Sequence, residues 1–326
     1  MPMKCITDAQ LVAGSKILVR CDLDVPIDNG KIQDSFRLNA SLPTLNYIQK
    51  QGAHPVILGH IGRPDGVDPA FSTEVLRTFY DAQLGTGKYI LLENTRFDSR
   101  EQVASLVFAK ELVEKSGATL YVNDAFGVCH RNDTTIVSMP RVLTSYAGIS
   151  LMNEVSNIEK VIKQPKRPLV AVIGGAKLET KKPLVKKFVE FADYVLIGGR
   201  IGLEWDTYVP SNLYLPSDYS DDHKFDIGIK TAETYVNILN RGATVVWAGP
   251  MGKFEEEKYA LGTNTIAQTI SRSSAFSVVG GGDTIHALTR IGMLNSFSFV
   301  SAGGGALLDY LVLGNLPGLK VLGYNG

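Results

Sequence analysis

The chain has 326 residues, and its 33 Lys+Arg balance 33 Asp+Glu, so the formal net charge is zero. That length suits two domains of about 100–200 residues each, and the zero balance argues against general binding of nucleic acid. No apolar run nears the roughly 18 residues that span a bilayer, no leader-like apolar stretch opens the sequence, and three scattered cysteines without C-x-x-C point to a reducing, cytoplasmic setting rather than to a disulfide or zinc framework.

The chain repeats one grammar. A short apolar, β-branched run ends in glycine or a polar group, and a helix-like stretch follows. In the first half the predicted strands are 16–19, 56–58, 89–92 and 119–122, with helices over 38–51 and 102–116 and a single helix within 72–84. The stretch 150–163 reads as one helix, with Leu151, Val155, Ile158, Val161 and Ile162 near helical spacing, and Gln164-Pro-Lys-Arg-Pro168 ends it. In the second half strands are predicted at 169–173, 194–197, 244–247, 276–279 and 297–300. The helices there are 182–191, 230–240, 263–271 and 306–313. Short continuous apolar runs alternating with helices predict an α/β chain with buried parallel sheets.

In such sheets ligands bind beyond the carboxyl ends of the strands, so the residues after each run carry the functional signal. In the first half those ends are ionic. They hold Arg20-Cys-Asp22-Leu-Asp24, Gly59-His60-Ile-Gly62-Arg63, Glu93-Asn94-Thr-Arg96 and Asn123-Asp124, with His130-Arg131 and Arg37 nearby in sequence. Any one arginine alone reads as a surface charge or a structural ion pair. Four such motifs at equivalent ends predict one anion site, where guanidinium forks can hold phosphate or carboxylate.

In the second half the strand ends carry glycine: Gly174-Gly175-Ala-Lys177, Gly198-Gly199-Arg200, Gly249-Pro250-Met-Gly252, Gly280-Gly281-Gly282-Asp283-Thr284 and Gly303-Gly304-Gly305. Glycine admits close backbone approach, and a following helix aims N–H groups at an anion, which suits nucleotide phosphates. Neither a P-loop nor a G-x-G-x-x-G fingerprint occurs, so a nicotinamide dehydrogenase is disfavoured. Asp283 could hold Mg²⁺. Lys177 and Lys181 stand four apart at a possible helix start, on one face, where an anion would offset their charge.

These runs closely resemble the phosphoglycerate kinase family. The resemblance extends from about residue 16 to 321. It includes Arg20-Cys-Asp-Leu-Asp-Val-Pro26, Gly59-His-Ile-Gly-Arg-Pro64, Leu92-Glu-Asn-Thr-Arg-Phe97, Tyr121-Val-Asn-Asp-Ala-Phe-Gly127, Ile173-Gly-Gly-Ala-Lys177, Val245-Val-Trp-Ala-Gly-Pro-Met-Gly252 and Val279-Gly-Gly-Gly-Asp-Thr284, and then Ser301-Ala-Gly-Gly-Gly-Ala306. It implies two Rossmann-like three-layer domains with parallel sheets facing across a hinged cleft. A triose-phosphate domain would span 1–149 plus a returning tail, 315–326. An interdomain helix would span 150–163, and a nucleotide domain 164–314.

The implied activity is reversible phosphoryl transfer between 1,3-bisphosphoglycerate with ADP and 3-phosphoglycerate with ATP, in glycolysis, by a monomer using Mg²⁺ and neither nucleic acid nor membrane. The resemblance makes Asp22, Asp24, Arg37, His60, Arg63, Arg96, His130 and Arg131 substrate-binding. It makes Gly174, Lys177, Lys181, Gly198, Gly199, Pro250, Glu255, Gly281, Gly282, Asp283 and Thr284 nucleotide-binding. Arg37, Lys177, Gly282 and Gly305 would be catalytic, and Asp283 the metal ligand. The alternative is a non-catalytic relative that binds phosphorylated ligands.

The chain departs from the family by being several dozen residues shorter, with trimmed stretches at 63–89 and 200–225. Arg200 stands where the family has glycine, Ala248 where it has asparagine, Ile229 where it has proline, and Ala302 where it has threonine. Asp24 stands where it has asparagine, placing a negative charge beside an anionic ligand that an arginine would have to offset. Cys129, Trp205 and Trp247 are expected to be packing residues, and His54, His223 and His286 structural or surface ones.

Overall fold

The computed structural model describes residues 3–206 and 208–326; Met1, Pro2 and Thr207 lie outside them, and with them the first two residues of the expected N-terminal domain. The chain divides into two compact units, Met1–Val155 with Asn315–Gly326, and Ser156–Gly314.

The first unit contains β1 (Lys16–Arg20), the short β2 (Ile27–Asp28) and β3 (Lys31–Ile32), α1 (Phe36–Lys50), β4 (His54–Leu58), α2 (Arg77–Leu84), β5 (Ile90–Leu91), α3 (Leu106–Ser116), β6 (Leu120–Asn123), β7 (Ser145–Ala147) and the start of α4 (Ile149–Ile162). Its parallel sheet runs β5-β4-β1-β6-β7. The apolar run of β1 is explained by burial on both faces. Ile17 and Val19 pack with Leu38, Leu45 and Ile48 of α1, whereas Leu18 packs with Phe108 and Leu112 of α3. Register pairs Arg20 with Leu58 and with Asn123, so the chain leaves three adjacent strands at one level.

The second unit contains β8 (Leu169–Ile173), α5 (Leu178–Phe191), β9 (Tyr194–Ile197), α6 (Gly199–Glu204), β10 (Leu213–Tyr214), α7 (Ile229–Leu239), β11 (Thr244–Ala248), α8 (Leu261–Arg272), β12 (Phe276–Gly280), α9 (Gly282–Arg290), β13 (Phe299–Ser301) and α10 (Gly305–Leu313). Its parallel sheet runs β10-β9-β8-β11-β12-β13, the doubly wound order, with the switch point between β8 and β11. The last helix, α11 (Pro317–Lys320), belongs to the first unit, where the Gly318 N–H donates to the Cys129 carbonyl at 2.8 Å.

Several boundaries differ from expectation, each for a local reason. The stretch predicted as helix from 102 starts at Leu106, because Ala104 turns left-handed at φ 52° and the Ser105 hydroxyl then caps Phe108 N–H. The single helix expected within 72–84 is a 3₁₀ turn, Thr73–Leu76, followed by α2. Helix α5 starts at Leu178 rather than 182, so Pro183 lies inside it. The strand expected at 89–92 shrinks to β5, and that at 297–300 shifts to β13. Strand β7 and helix α6 were not anticipated; β7 is three residues long, too short for an alternation signal.

Candidate active site

In the first unit, β1 ends in Arg20, whose side chain is fully buried. Its Nε donates to Thr135 Oγ1 at 2.9 Å and its Nη2 to His60 Nδ1 at 2.8 Å, while Nη1 donates to the Cys21 carbonyl. His60 follows β4 and is 1% exposed. Burial first, then the positive charges of Arg20, Arg131, Arg37 and Arg63, push its pKa down to about 2, so the ring is neutral. Arg20 touches the ring directly, and Arg131, Arg37 and Arg63 act on it through their charge.

Arg37, on the first turn of α1, donates from Nη1 to the Asp24 carbonyl at 2.8 Å and lies 3.8 Å from Asp22 Oδ1. Burial raises the Asp22 pKa, and Arg37 and then Arg20 pull it back. The extra charge of Asp24 is met by the Gly62 N–H, which donates to Oδ1 at 2.8 Å, while the neutral His60 ring stays beyond hydrogen-bond reach, its Nε2 3.9 Å from Oδ2. Arg96 is buried, donates from Nη1 to the Gly62 carbonyl at 2.6 Å, and leaves its Nε without a partner. Arg63 is exposed and Arg131 half-buried. His130 is half-buried too, with a buried, unpartnered Nδ1. Several donors at one sheet edge therefore point at no protein acceptor, which is what an anion site requires.

Sequence reasoning had not assigned a role to Arg20, Glu101 or Thr135. Glu101 is fully buried and accepts from Thr135 N–H at 3.1 Å and from Thr135 Oγ1 at 2.5 Å. Burial raises its pKa to about 7 despite the pull of Arg20. A separation of 34 residues carries no periodicity, so only the fold reveals this contact. Cys129 is a packed, free thiol, as expected, and Trp247 is buried in β11.

In the second unit, a cavity of about 530 Å³ lies at the carboxyl ends of the strands. Its lining includes Gly175, Gly199, Pro250, Glu255, Asp283 and Phe225. The switch point is built by two glycines. A Cβ on Gly249, whose φ is +106°, would sit 2.1 Å from the Gly174 carbonyl oxygen, so both backbones touch there and only glycine fits. Helix α9 opens on Gly281 and Gly282 and α10 on Gly304 and Gly305, so these two helix starts bring backbone N–H groups to the strand ends, whereas at the start of α6 the Gly199 N–H is already engaged, donating to the Met251 carbonyl at 2.7 Å.

Asp283 is exposed on the first turn of α9. It acts on Lys181, whose pKa burial lowers to about 8 against the opposing pull of that carboxylate. Lys177 is exposed at the N-cap of α5. Thr284 is buried, and its hydroxyl accepts from the Gly249 N–H at 2.7 Å, so it holds the strand end. Among the described residues no cluster of three or more metal-type side chains occurs.

Phe225 was not foreseen as a lining residue. It is 46% exposed, with His223 stacked on it at 5.7 Å, Tyr259 edge-on at 5.2 Å, and Lys253 over its ring at 5.4 Å. His223 is thus exposed, as expected, but also lines the cavity. Arg200 lines it too and pairs with Glu204.

Two doubly wound sheets, one ending in guanidiniums and the other in glycines beside a lysine and an aspartate, define a phosphotransferase of the α/β class. Comparison with known proteins makes this particular. The family model for phosphoglycerate kinase matches residues 6–80, 77–205 and 212–312. Phosphoglycerate kinase from Leptospira biflexa is 31% identical over 388 residues, covering 97% of this chain and 98% of its own. The Thermus thermophilus enzyme is 33% identical over 380 residues, covering 95% and 97%. The solved structure of phosphoglycerate kinase from Coxiella burnetii matches with a TM-score of 0.86 at 29% identity, covering 98% of this chain and 99% of that one. That from Pyrococcus horikoshii gives 0.83 at 27%, covering 98% of each. The chain belongs to the phosphoglycerate kinase family. An alignment of 388 positions exceeds the 326 residues present, so the shortfall is internal, and residues 206–211, left out of the family match, fall in one of the two trimmed stretches.

Proposed function

We propose that the chain is an active phosphoglycerate kinase that transfers a phosphoryl group reversibly between 1,3-bisphosphoglycerate with ADP and 3-phosphoglycerate with ATP. What carries the reading is one chain of this family holding both halves of the chemistry: a guanidinium cluster around neutral His60, and Lys181 and Asp283 beside a glycine-built cavity. No observation favours the non-catalytic alternative. The first unit, with its 315–326 tail, takes the triose phosphate through Arg37, His60, Arg63, Arg96, His130 and Arg131, with Asp22 and Asp24 orienting Arg37. The second takes the nucleotide. The N–H groups opening α9 and α10 and the ammonium groups of Lys177 and Lys181 hold its phosphates, and Glu255 its ribose.

The nucleophile is a carboxylate, already ionised, so no general base is needed. Arg37, Lys177 and the helix starts at Gly282 and Gly305 offset charge on the transferring group. One exposed carboxylate at the mouth of a phosphate site suits Mg²⁺, which takes one or two protein carboxylates and completes its shell with phosphate oxygens and water. Asp283 would hold it, and it would supply charge neutralisation on the phosphates. No helix among the described residues is long and apolar enough to cross a membrane; a cytoplasmic monomer is the proposed state. A coupled assay with 3-phosphoglycerate and Mg-ATP tests the function, with Lys177→Ala as control. Turnover above that control is expected; none above it overturns the reading.

Two predictions concern the nucleotide. Lys181 must be protonated to attract phosphate, and its free pKa is about 8. ADP affinity is therefore expected to fall as pH rises from 7.5 to 9.5, with binding accompanied by proton uptake. Calorimetry in buffers of different ionisation enthalpy measures this, and Lys181→Arg should flatten the profile. An unchanged slope in that variant would assign the titration elsewhere.

The base-binding side is short, and Leu203, Phe225 and Pro250 offer it apolar faces. Stacking tolerates any base, so kcat/KM for ADP and GDP should agree within about tenfold. A preference for ADP of several hundredfold would refute this.

A further inference from the structure

Arginine has donors only. The Arg20 Nη2 bond to His60 Nδ1 therefore requires an unprotonated Nδ1, and the neutral ring must carry its hydrogen on Nε2. That Nε2 is buried and finds no hydrogen-bond partner, since Asp24 Oδ2 is 3.9 Å away. An unsatisfied buried donor is costly, and here it belongs to a ring on which the charges of Arg37, Arg63 and Arg131 act. The tautomer thus depends on where Arg20 points.

Arg20 is aimed from behind. Its Nε bonds the Thr135 hydroxyl, which must accept from the arginine and so donates its own hydrogen to Glu101 Oε1. Thr135 N–H closes onto Glu101 Oε2. All three side chains are fully buried. A buried carboxylate linked through a single hydroxyl holds the buried guanidinium, and the guanidinium holds the imidazole.

We propose that Arg20 is a positioning residue, held by Glu101 through Thr135, that presents His60 Nε2–H as a neutral, directional donor to the triose-phosphate ligand. The inference rests on the first unit's being the triose-phosphate site. The division of labour is physical: the surrounding arginines supply charge, and a neutral imidazole adds direction without becoming a further buried cation.

Thr135→Val keeps the shape and removes the joint. Calorimetry should show 3-phosphoglycerate binding about tenfold more weakly, with ATP affinity within about twofold of the native chain. Thr135→Ser should restore the 3-phosphoglycerate affinity. Nitrogen-15 spectra of His60 should show the Nε2–H tautomer in the native chain from pH 5.5 to 8.5, and a mixture or a protonated ring in the valine variant. The proposal is overturned by an Nδ1–H tautomer in the native chain. It is also overturned if Thr135→Val leaves 3-phosphoglycerate affinity unchanged, or weakens both ligands equally. Failure of the native chain to bind 3-phosphoglycerate would sink the functional reading, while the tautomer would still decide this point.

Discussion

Arg37→Ala is expected to lower kcat about 10²–10³-fold, with ATP affinity within about twofold of the native chain. Arg37 does not float in solvent. Its Nη1 is tied to the Asp24 carbonyl at 2.8 Å and lies 3.8 Å from Asp22, so the guanidinium is oriented before any ligand arrives. A preorganised cation stabilises charge in the transition state without reorganising, and its removal costs more there than in the ground state. Arg37→Lys should recover only part of the rate, because an ammonium lacks the planar fork. The coupled assay gives kcat, and calorimetry gives the ATP affinity. A fall in kcat of less than tenfold would mean that Arg37 only binds.

Gly249→Ala is expected to destabilise the second unit by about 3–5 kcal/mol, the sum of strain at positive φ and a forced backbone clash. The added Cβ would lie 2.1 Å from Gly174 O and 2.4 Å from its carbonyl carbon, and a neighbouring backbone cannot rotate away as a side chain can. The hydrogen bond from Gly249 N–H to Thr284 would be disturbed as well. Denaturant unfolding followed by Trp247 fluorescence reports on this unit, since that indole is buried in β11 with its Nε1–H on the Gly249 carbonyl. Gly292→Ala is the control, because its φ is also positive but nothing lies within 4 Å of the added atom. Equal losses in the two variants would show that strain alone matters and that the two strand ends do not touch.

Much of the fold was legible. Strands β8, β9 and β11 were visible as unbroken apolar runs because parallel strands are buried on both faces. Boundaries were missed where a single residue decides them. Ala104 turns left-handed and delays α3, and the α5 backbone begins four residues earlier than expected, at Leu178, with Pro183 inside the helix. The ionic and glycine-rich strand ends were legible too, through their position after each run. Phe225 and His223 escaped because no motif flags an aromatic residue that lines a cavity from a loop.

By itself the sequence determined the class of fold, the two-part organisation, and the family, because strand-end motifs are local and a chain of this class must place them at one edge. Only the tertiary structure decided how those groups behave. The chain balances 33 Lys+Arg against 33 Asp+Glu, yet that sum says nothing of where the charges lie. Folding buries Arg20 against Glu101 through Thr135, over separations of 34 and 115 residues, and brings four guanidiniums to act on one imidazole. Ionisation and tautomer depend on burial and on neighbours within a few ångströms, and linear order does not specify those distances.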